Sequence, residues 1–427
     1  MKSFWGLVMT RERLLLAATL FGTCIIIGLF TSKYIRILPS IGMVGFTLTA
    51  LIQCVLHGSS PPRASRSVYG AFGLVYLVHL AAGLTTSEEG LDAFRQDLIL
   101  QLPYLLLPLG FWLLPPLPTS HLRGLWLTLV AAASVAAILS TGNYLLHFEQ
   151  INEAYLHSKV MPTEPDHIRF SLLVTLAITA GVALLAHRSI GSQWGRAGLW
   201  TTVMLLAFYQ HLLAVRSGLV SFYVVGGAAL LWLLFRSRQY QQALVLAACL
   251  VLIPGISYSV FPTLQNKSAN TQEDMSRVHH TQSANNYSLV GRVYSYKVAL
   301  KVIRAHPWLG VGKGDMASEM AVYYRRDFPN IEPEAYILPH NQYLYSAVAF
   351  GISGLLIFIV GFYYAGISVW PRYAPLLLAQ YLILTVSFLV EYTLETQVGL
   401  GFALFFLLLA LEGSKSVSDA ETTWRPA

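Results

Sequence analysis

Apolar runs of roughly 17 to 25 residues, the length that crosses a bilayer as a helix, recur along the chain near 14–30, 37–57, 67–85, 98–114, 124–146, 168–186, 199–213, 217–235, 241–260, 343–365, 374–391 and 397–412. With no strand-period alternation between them, they predict an all-α integral membrane protein of about 12 transmembrane helices. One long polar interval, residues 261–339, separates the ninth run from the tenth. The expected organisation is therefore spans 1–9 over residues 1–260, a large external loop with short helices over 261–339, spans 10–12 over 340–412, and a short polar, disordered tail over 413–427.

Composition agrees with this class: 55% of the 427 residues are hydrophobic and 11% are charged, against about 25% charged in soluble domains. The first run follows Arg11 and Arg13; its length, without a small-residue cleavage site, marks it as a retained helix and not a removed signal. Lys2, Arg11, Arg13, Arg63, Arg66, Arg123, Arg188, Arg196, Arg236, Arg238, Arg372, Lys415 and Arg425 fall on the side of the N-terminus. The short loops opposite hold fewer cations, namely Lys33, Arg36, Arg95, Lys159, Arg169 and Arg216. Both termini are expected in the cytoplasm and the 261–339 loop outside, because loops beyond about 60 residues translocate regardless of their own charge. The net charge of +7, so distributed, suits anionic lipid headgroups or a phosphate-bearing ligand and not nucleic acid. Cys24, Cys54 and Cys249 lie inside apolar runs and are expected to be packing residues, not a disulfide or metal set.

The polar interval has two halves. Thr263 to Leu289 is rich in Asn, Gln, Ser and Thr and reads as a flexible or lid-like segment. From Arg292 to Arg304, Val293, Tyr296, Leu300 and Ile303 recur at helical spacing, with Arg292, Lys297, Lys301 and Arg304 around the other side. That pattern predicts a basic amphipathic helix able to lie on a membrane surface. His306-Pro307 then stops the helix, and Gly310, Gly312 and Gly314 allow a tight turn. The interval closes with Pro339-His340-Asn341-Gln342-Tyr343-Leu344 entering the tenth run.

Gly291-Arg292, then His306-Pro307 with Gly310-Val311-Gly312, then His340-Asn341 with Tyr343-Leu344 and Gly351, together with Arg216-Ser217-Gly218 upstream, resemble the ordered signature of the bacterial O-antigen ligase and O-antigen polymerase superfamily, closest to the ligases. The resemblance covers residues from about 165 to 365; Tyr294 and Tyr296 stand where relatives often carry tryptophan. It implies transfer of a glycan from undecaprenyl diphosphate to a lipid A-core hydroxyl on the periplasmic face of the inner membrane, without metal or other cofactor and with inversion at the anomeric carbon. The polymerase alternative has a second lipid-linked repeat unit as acceptor, and a protein-glycosylating relative is a further possibility. A transporter of lipid-linked sugar is the alternative outside enzymes, but it calls for charges near mid-span and repeat symmetry, which the sequence does not display.

The residues carry this chemistry on their own terms. A departing diphosphate needs cations, and arginine's fork pairs bidentately with phosphate oxygens. Arg216, in a short turn between two apolar runs, and Arg292, at the start of the amphipathic helix, are the expected pair; each alone could be an interfacial or solvated arginine. Arg169 is equally a third site cation or an interfacial one, and Arg304 is a further substrate-binding candidate. An acceptor hydroxyl must lose a proton, and histidine, with an ordinary pKa of about 6.5, accepts one near neutrality; His340 is that candidate, with Asn341 beside it. Trp308, Tyr323, Tyr336 and Tyr343 either stack on sugar rings or sit in an interfacial belt. His306 is expected to pack or cap the turn, and His279 and His280 to be solvated. No Asp-x-Asp pair or His/Cys cluster at ligand spacing accompanies them, so arginines are expected where other transferases use a divalent ion.

Overall fold

The computed structural model describes residues 9–58, 66–157, 159–187, 189–369 and 375–422. Lys2, Arg63, Arg188, Arg372 and Arg425 of the charge pattern lie outside these residues, as does the last part of the expected tail. Among the described residues every regular element is helical. In chain order they are α1 (Arg11–Thr31), α2 (Leu38–His57), α3 (Arg66–Ala81), α4 (Leu91–Leu100), α5 (Pro103–Leu113), α6 (Thr119–Leu146), α7 (Phe148–Leu156), α8 (His167–Ala186) and α9 (Gln193–Leu213). There follow α10 (Arg216–Leu231), α11 (Tyr240–Val260), α12 (Pro262–Ser276), α13 (Ser288–Ala305), α14 (Met316–Asp327), α15 (Gln342–Val369), α16 (Pro375–Val390) and α17 (Gln397–Thr422).

Among the described residues, 8 helices are long and apolar enough to cross a membrane: α1, α2, α3 with the turn after it, α6, α8, α10 with its continuation to Arg236, α11 and α15. The other four apolar runs take different forms. Residues 98–114 break at Pro103, which starts α5 after the short α4. The helix α9 is 21 residues long but carries Arg196, Gln210 and His211. The helices α16 and α17 are shorter apolar segments. Leu400 and every residue from Phe402 to Leu411 of α17 are buried, so this helix is apolar all round because it runs through the centre of the bundle. Its helix continues to Thr422, past the end of the apolar run where a disordered tail was expected. By contrast only 11% of the α10 span window and 17% of that of α11 are buried, as suits helices whose side chains meet lipid.

Close approach of helices relies on small residues. A Cβ at Gly42 or Gly45 of α2 would meet Phe21 or Ile25 of α1 within 2.3–2.9 Å. All three cysteines are unpaired and half-buried.

The segments that the charge pattern separated lie at opposite ends of the bundle. At one end Ser87 donates from its N and Oγ to Asp315, each at 2.6 Å. Thr263 Oγ1 donates there to the Leu212 carbonyl at 2.7 Å, and Asn341 Nδ2 to that of Leu389 at 3.0 Å. At the other end Arg123 donates to the Ser189 carbonyl at 2.7 Å and the Leu117 N–H to Glu412 at 3.3 Å.

The polar interval folds into a cap with its own core of Val290, Tyr294, Val298, Val302, Met316, Met320 and Tyr324 against Tyr345, Val348 and Phe350 of α15. Two expectations are corrected here. The Thr263–Leu289 half is not irregular: α12 occupies Pro262–Ser276 and a 3-10 turn covers Thr281–Asn285. The amphipathic helix forms as α13, but its buried stripe is Val290, Tyr294, Val298 and Val302 and not Val293, Tyr296, Leu300 and Ile303. Both sets recur at helical spacing, and the side that packs on α14 and α15 is the one buried.

The glycine signature has an architectural cause. Helical dihedrals in α15 are interrupted at Gly351, with φ 68°, and the 307–312 turn docks into the break. Val311 N donates to the Val348 carbonyl and Gly312 N to that of Ala349, each at 3.0 Å, while Ile352 N donates to the Pro307 carbonyl at 2.7 Å. Gly310 and Gly351 have positive φ, and a Cβ at Gly351 would sit 2.2 Å from the Trp308 carbonyl oxygen. Only glycine fits where two backbones exchange hydrogen bonds this closely.

Candidate functional site

Three helix N-termini meet beneath the cap, those of α8, α10 and α15, and each brings a sequence-predicted residue. Arg169 is on the first turn of α8, where Asp166 caps the helix through the Ile168 and Arg169 N–H groups and pairs with the Arg169 guanidinium at 2.6 Å. Arg216 is the first residue of α10, reached from α9 by a turn whose Ala214 is left-handed, φ 49°, a strained conformation for a residue with a Cβ. Gly218 then lets α10 lie against α8 and α9: a Cβ there would be 2.3 Å from Gln210 Nε2 and 2.4 Å from Ser171 Cβ. Cations at helix N-termini are opposed by the dipole, and together with the free N–H groups they make a field that attracts an anion.

Arg292, on the second turn of α13, reaches the other way. It donates to the Val390 carbonyl at the end of α16, at 3.1 Å, and lies 4.0 Å from Glu391. The Glu391 Oε2 atom is also 3.1 Å from His340 Nδ1. A carboxylate accepts only, so in the neutral His340 ring the proton sits on Nδ1 and Nε2 keeps a lone pair. The ring also packs beside Tyr392, centroids 4.9 Å apart, and Tyr296 donates to the His340 carbonyl at 2.6 Å. Burial alone would raise the Glu391 pKa, but the hydrogen bond and charge of His340, followed by the charges of Arg169 and Arg292, hold it below the usual carboxylate value. Glu391 lies just beyond the end of α16, so it is the carboxylate around which His340, Arg292 and Arg169 gather.

Arg216 pairs with Asp274 of α12 at 3.3 Å, and Asp274 is fully buried. On the same helix Lys267 is only 9% exposed. Burial, then Arg216 and Arg292, bring its pKa down to about 8 against the opposing pull of Asp274. Among the described residues several buried polar atoms near these helix ends have no hydrogen-bond partner, including Arg169 Nε, Arg216 Nε, Ser217 Oγ and Asp274 Oδ1. Unpaired buried guanidinium N–H groups are costly in a protein interior, and they suit a multiply charged oxyanion.

The other expected substrate-binding residues are placed differently. Asn341 caps α15, accepting from Leu344 N at 2.9 Å. Tyr343 points among Phe358 and Phe388 and hydrogen-bonds Tyr363 at 2.7 Å. Trp308 is 70% exposed at the docked turn. Arg304 is exposed at the far end of α13, about 18 Å along the axis from Arg292 at 1.5 Å per residue. Glu391, Lys267, Asp274 and Asp166 did not stand out in the sequence. Only Glu391 left a signal, as a carboxylate closing an apolar run.

A second buried network lies beside the first. Lys313 pairs with both Asp97 and Glu395, and Asp97 also bonds His79 at 2.7 Å. Gln342 donates to Glu395 at 2.7 Å and accepts from Leu394 N at 3.0 Å. Through Glu395 and Leu394 it anchors the 391–396 segment that carries Glu391. Among the described residues no three His, Cys, Asp or Glu side chains are grouped to hold a metal ion.

A family model described as O-antigen ligase matches residues 201–359, a stretch that includes Arg216, Lys267, Arg292, His340 and Gly351 and that excludes Arg169 and Glu391. No curated protein matches the chain. The matched residues form the cap and two of the three helix ends that enclose the cluster, and over that stretch this helical membrane protein is similar to the O-antigen ligase family.

Proposed function

We propose that the protein transfers a glycan, the O-antigen, from undecaprenyl diphosphate to a hydroxyl of lipid A-core, at the periplasmic face of the bacterial inner membrane. The observation that supports it most is the sharing of Glu391 by His340 at 3.1 Å and Arg292 at 4.0 Å, with Arg169 close enough to act on the same carboxylate. A candidate base and candidate anion-binding groups thus belong to one cluster, although they come from distant parts of the chain.

Arg216 and Arg292 bind the diphosphate oxygens, with Arg169 beside them. The acceptor hydroxyl approaches His340, whose Nε2 takes its proton as the acceptor oxygen forms a bond to the anomeric carbon. The bond from that carbon to the diphosphate oxygen breaks on the opposite face, its electron pair leaves with the diphosphate, and the configuration inverts. Glu391 accepts from Nδ1–H throughout, fixing the ring and stabilising the imidazolium that forms. The arginines take the charge-neutralising role that a divalent ion has in other transferases, and the leaving group requires no separate acid.

An O-antigen polymerase would use the same donor groups with a second lipid-linked repeat unit as acceptor, and the family match is common to both. Reconstitution of the purified protein with a lipid-linked glycan donor, offered either lipid A-core or a second donor, separates them by product size. A single glycan joined to lipid A-core supports the ligase, and a ladder of extended carrier-linked glycans would replace it by the polymerase. Transfer is expected to continue in excess chelator.

A further inference from the structure

The helix α12 buries a polar face. Thr263, Lys267, Asn270 and Asp274 are its buried residues, one or two helical turns apart. Three of the four have partners: Thr263 donates to the Leu212 carbonyl at 2.7 Å, Asn270 to that of Leu156 at 3.4 Å, and Asp274 accepts from Arg216 at 3.3 Å. Lys267 is the exception. The residue as a whole is only 9% exposed, and among the described residues no carboxylate lies within the 4.0 Å of an ion pair with it. Its charged neighbours are Arg216 and Arg292, the two groups assigned to the diphosphate, and Asp274, which Arg216 already holds at 3.3 Å. An ammonium on a largely buried lysine, beside two guanidinium groups and without an ion pair of its own, is unfavourable by itself. Such an arrangement is kept where an anion completes it.

We infer that Lys267 is a third phosphate-binding cation of this site, its Nζ donating to an oxygen of the carrier's diphosphate alongside Arg216 and Arg292. The inference rests on the diphosphate reading above. A diphosphate diester carries two negative charges and leaves as a monoester that can carry three, so charge develops on the group these cations face. Arginine forks bind oxygens bidentately, whereas an ammonium is a compact point charge that can follow the oxygen on which charge accumulates. Its place on α12 also gives that helix, which the polar composition of residues 263–289 had marked only as a lid, a direct part in binding.

The test is binding of undecaprenyl diphosphate to the full-length protein in lipid nanodiscs, comparing the native chain with Lys267→Met and Lys267→Arg. Unfolding temperatures report whether each variant is folded, and the apolar, similarly shaped methionine removes an unpaired charge. Loss of one charge-assisted hydrogen bond predicts an affinity weaker by about tenfold or more in Lys267→Met, with most of it restored in Lys267→Arg. Folded Lys267→Met that binds as tightly as the native chain would overturn the assignment of Lys267 and leave the diphosphate reading intact. Absence of binding by the native chain itself would overturn both.

Discussion

Glu391 approaches His340 from the Nδ1 side, 3.1 Å away, and is itself only 3% exposed. The carboxylate therefore dictates which ring nitrogen carries the proton and which is free to accept one. Replacing Glu391 by Gln keeps an oxygen near Nδ1 but removes the charge that stabilises an imidazolium. Turnover is expected to fall by about a hundredfold, the lower end of what a general base contributes. Affinity for the donor should be unchanged or higher, because a negative charge beside Arg292 has gone. A purely structural role for Glu391 would instead weaken binding and turnover together, and measuring kcat and donor Kd separately distinguishes the two.

The pH dependence of donor binding follows from Lys267. With its pKa lowered to about 8, chiefly by burial and then by Arg216 and Arg292, its charge is present below that pH and is lost as pH rises through it. Arginine side chains stay charged across this range. Affinity for undecaprenyl diphosphate should therefore decline between pH 7 and pH 9 in the native protein and stay level in Lys267→Arg. A native curve as level as that of the arginine variant would show that Lys267 does not face the ligand.

Gly351 tests the architecture. Alanine there must accept a φ of 68° and place a Cβ 2.2 Å from the Trp308 carbonyl oxygen. Backbone strain alone costs about 1–3 kcal/mol, and the backbone contact cannot be relieved by turning a side chain. A clear drop in unfolding temperature and in membrane level is expected for Gly351→Ala. Native stability would mean that the docked turn is free to move away from the break in α15.

Much of this was legible in the sequence and some was not, for identifiable reasons. Apolar runs located the helices because lipid and core both require apolar surface, but hydropathy does not distinguish a lipid-facing helix such as α10 from the central α17. Arg216, Arg292 and His340 stand out as candidates because each is a charged or titratable residue beside an apolar boundary within a recognisable motif. Glu391 was missed because one carboxylate at the end of an apolar run looks like the boundary itself, and its partners come from α13 and the segment before α15. The α13 stripe was displaced to the wrong side because this helix has apolar residues on two faces, and only its contacts with α14 and α15 decide between them.

Lys313 supports the site from behind. Its ammonium bridges Asp97 and Glu395, whose side chains are 2% and 4% exposed, and burial opposed by these two carboxylates leaves its pKa above the usual lysine value. Lys313→Met leaves two buried carboxylates without their cation, a change that typically costs about 3–5 kcal/mol. A markedly lower unfolding temperature is expected, with residual transfer falling because the 391–396 segment is no longer held. Unaltered stability would indicate that water reaches Asp97 and Glu395.

The most direct measurement is the rate of glycan transfer by the reconstituted protein with His340 replaced by alanine, while donor binding and unfolding temperature are followed on the same preparation. Transfer is predicted to drop by about a hundred to ten-thousandfold, with donor binding retained through Arg216 and Arg292. Transfer at a near-native rate by the folded His340→Ala protein would contradict the proposal that His340 removes the acceptor proton.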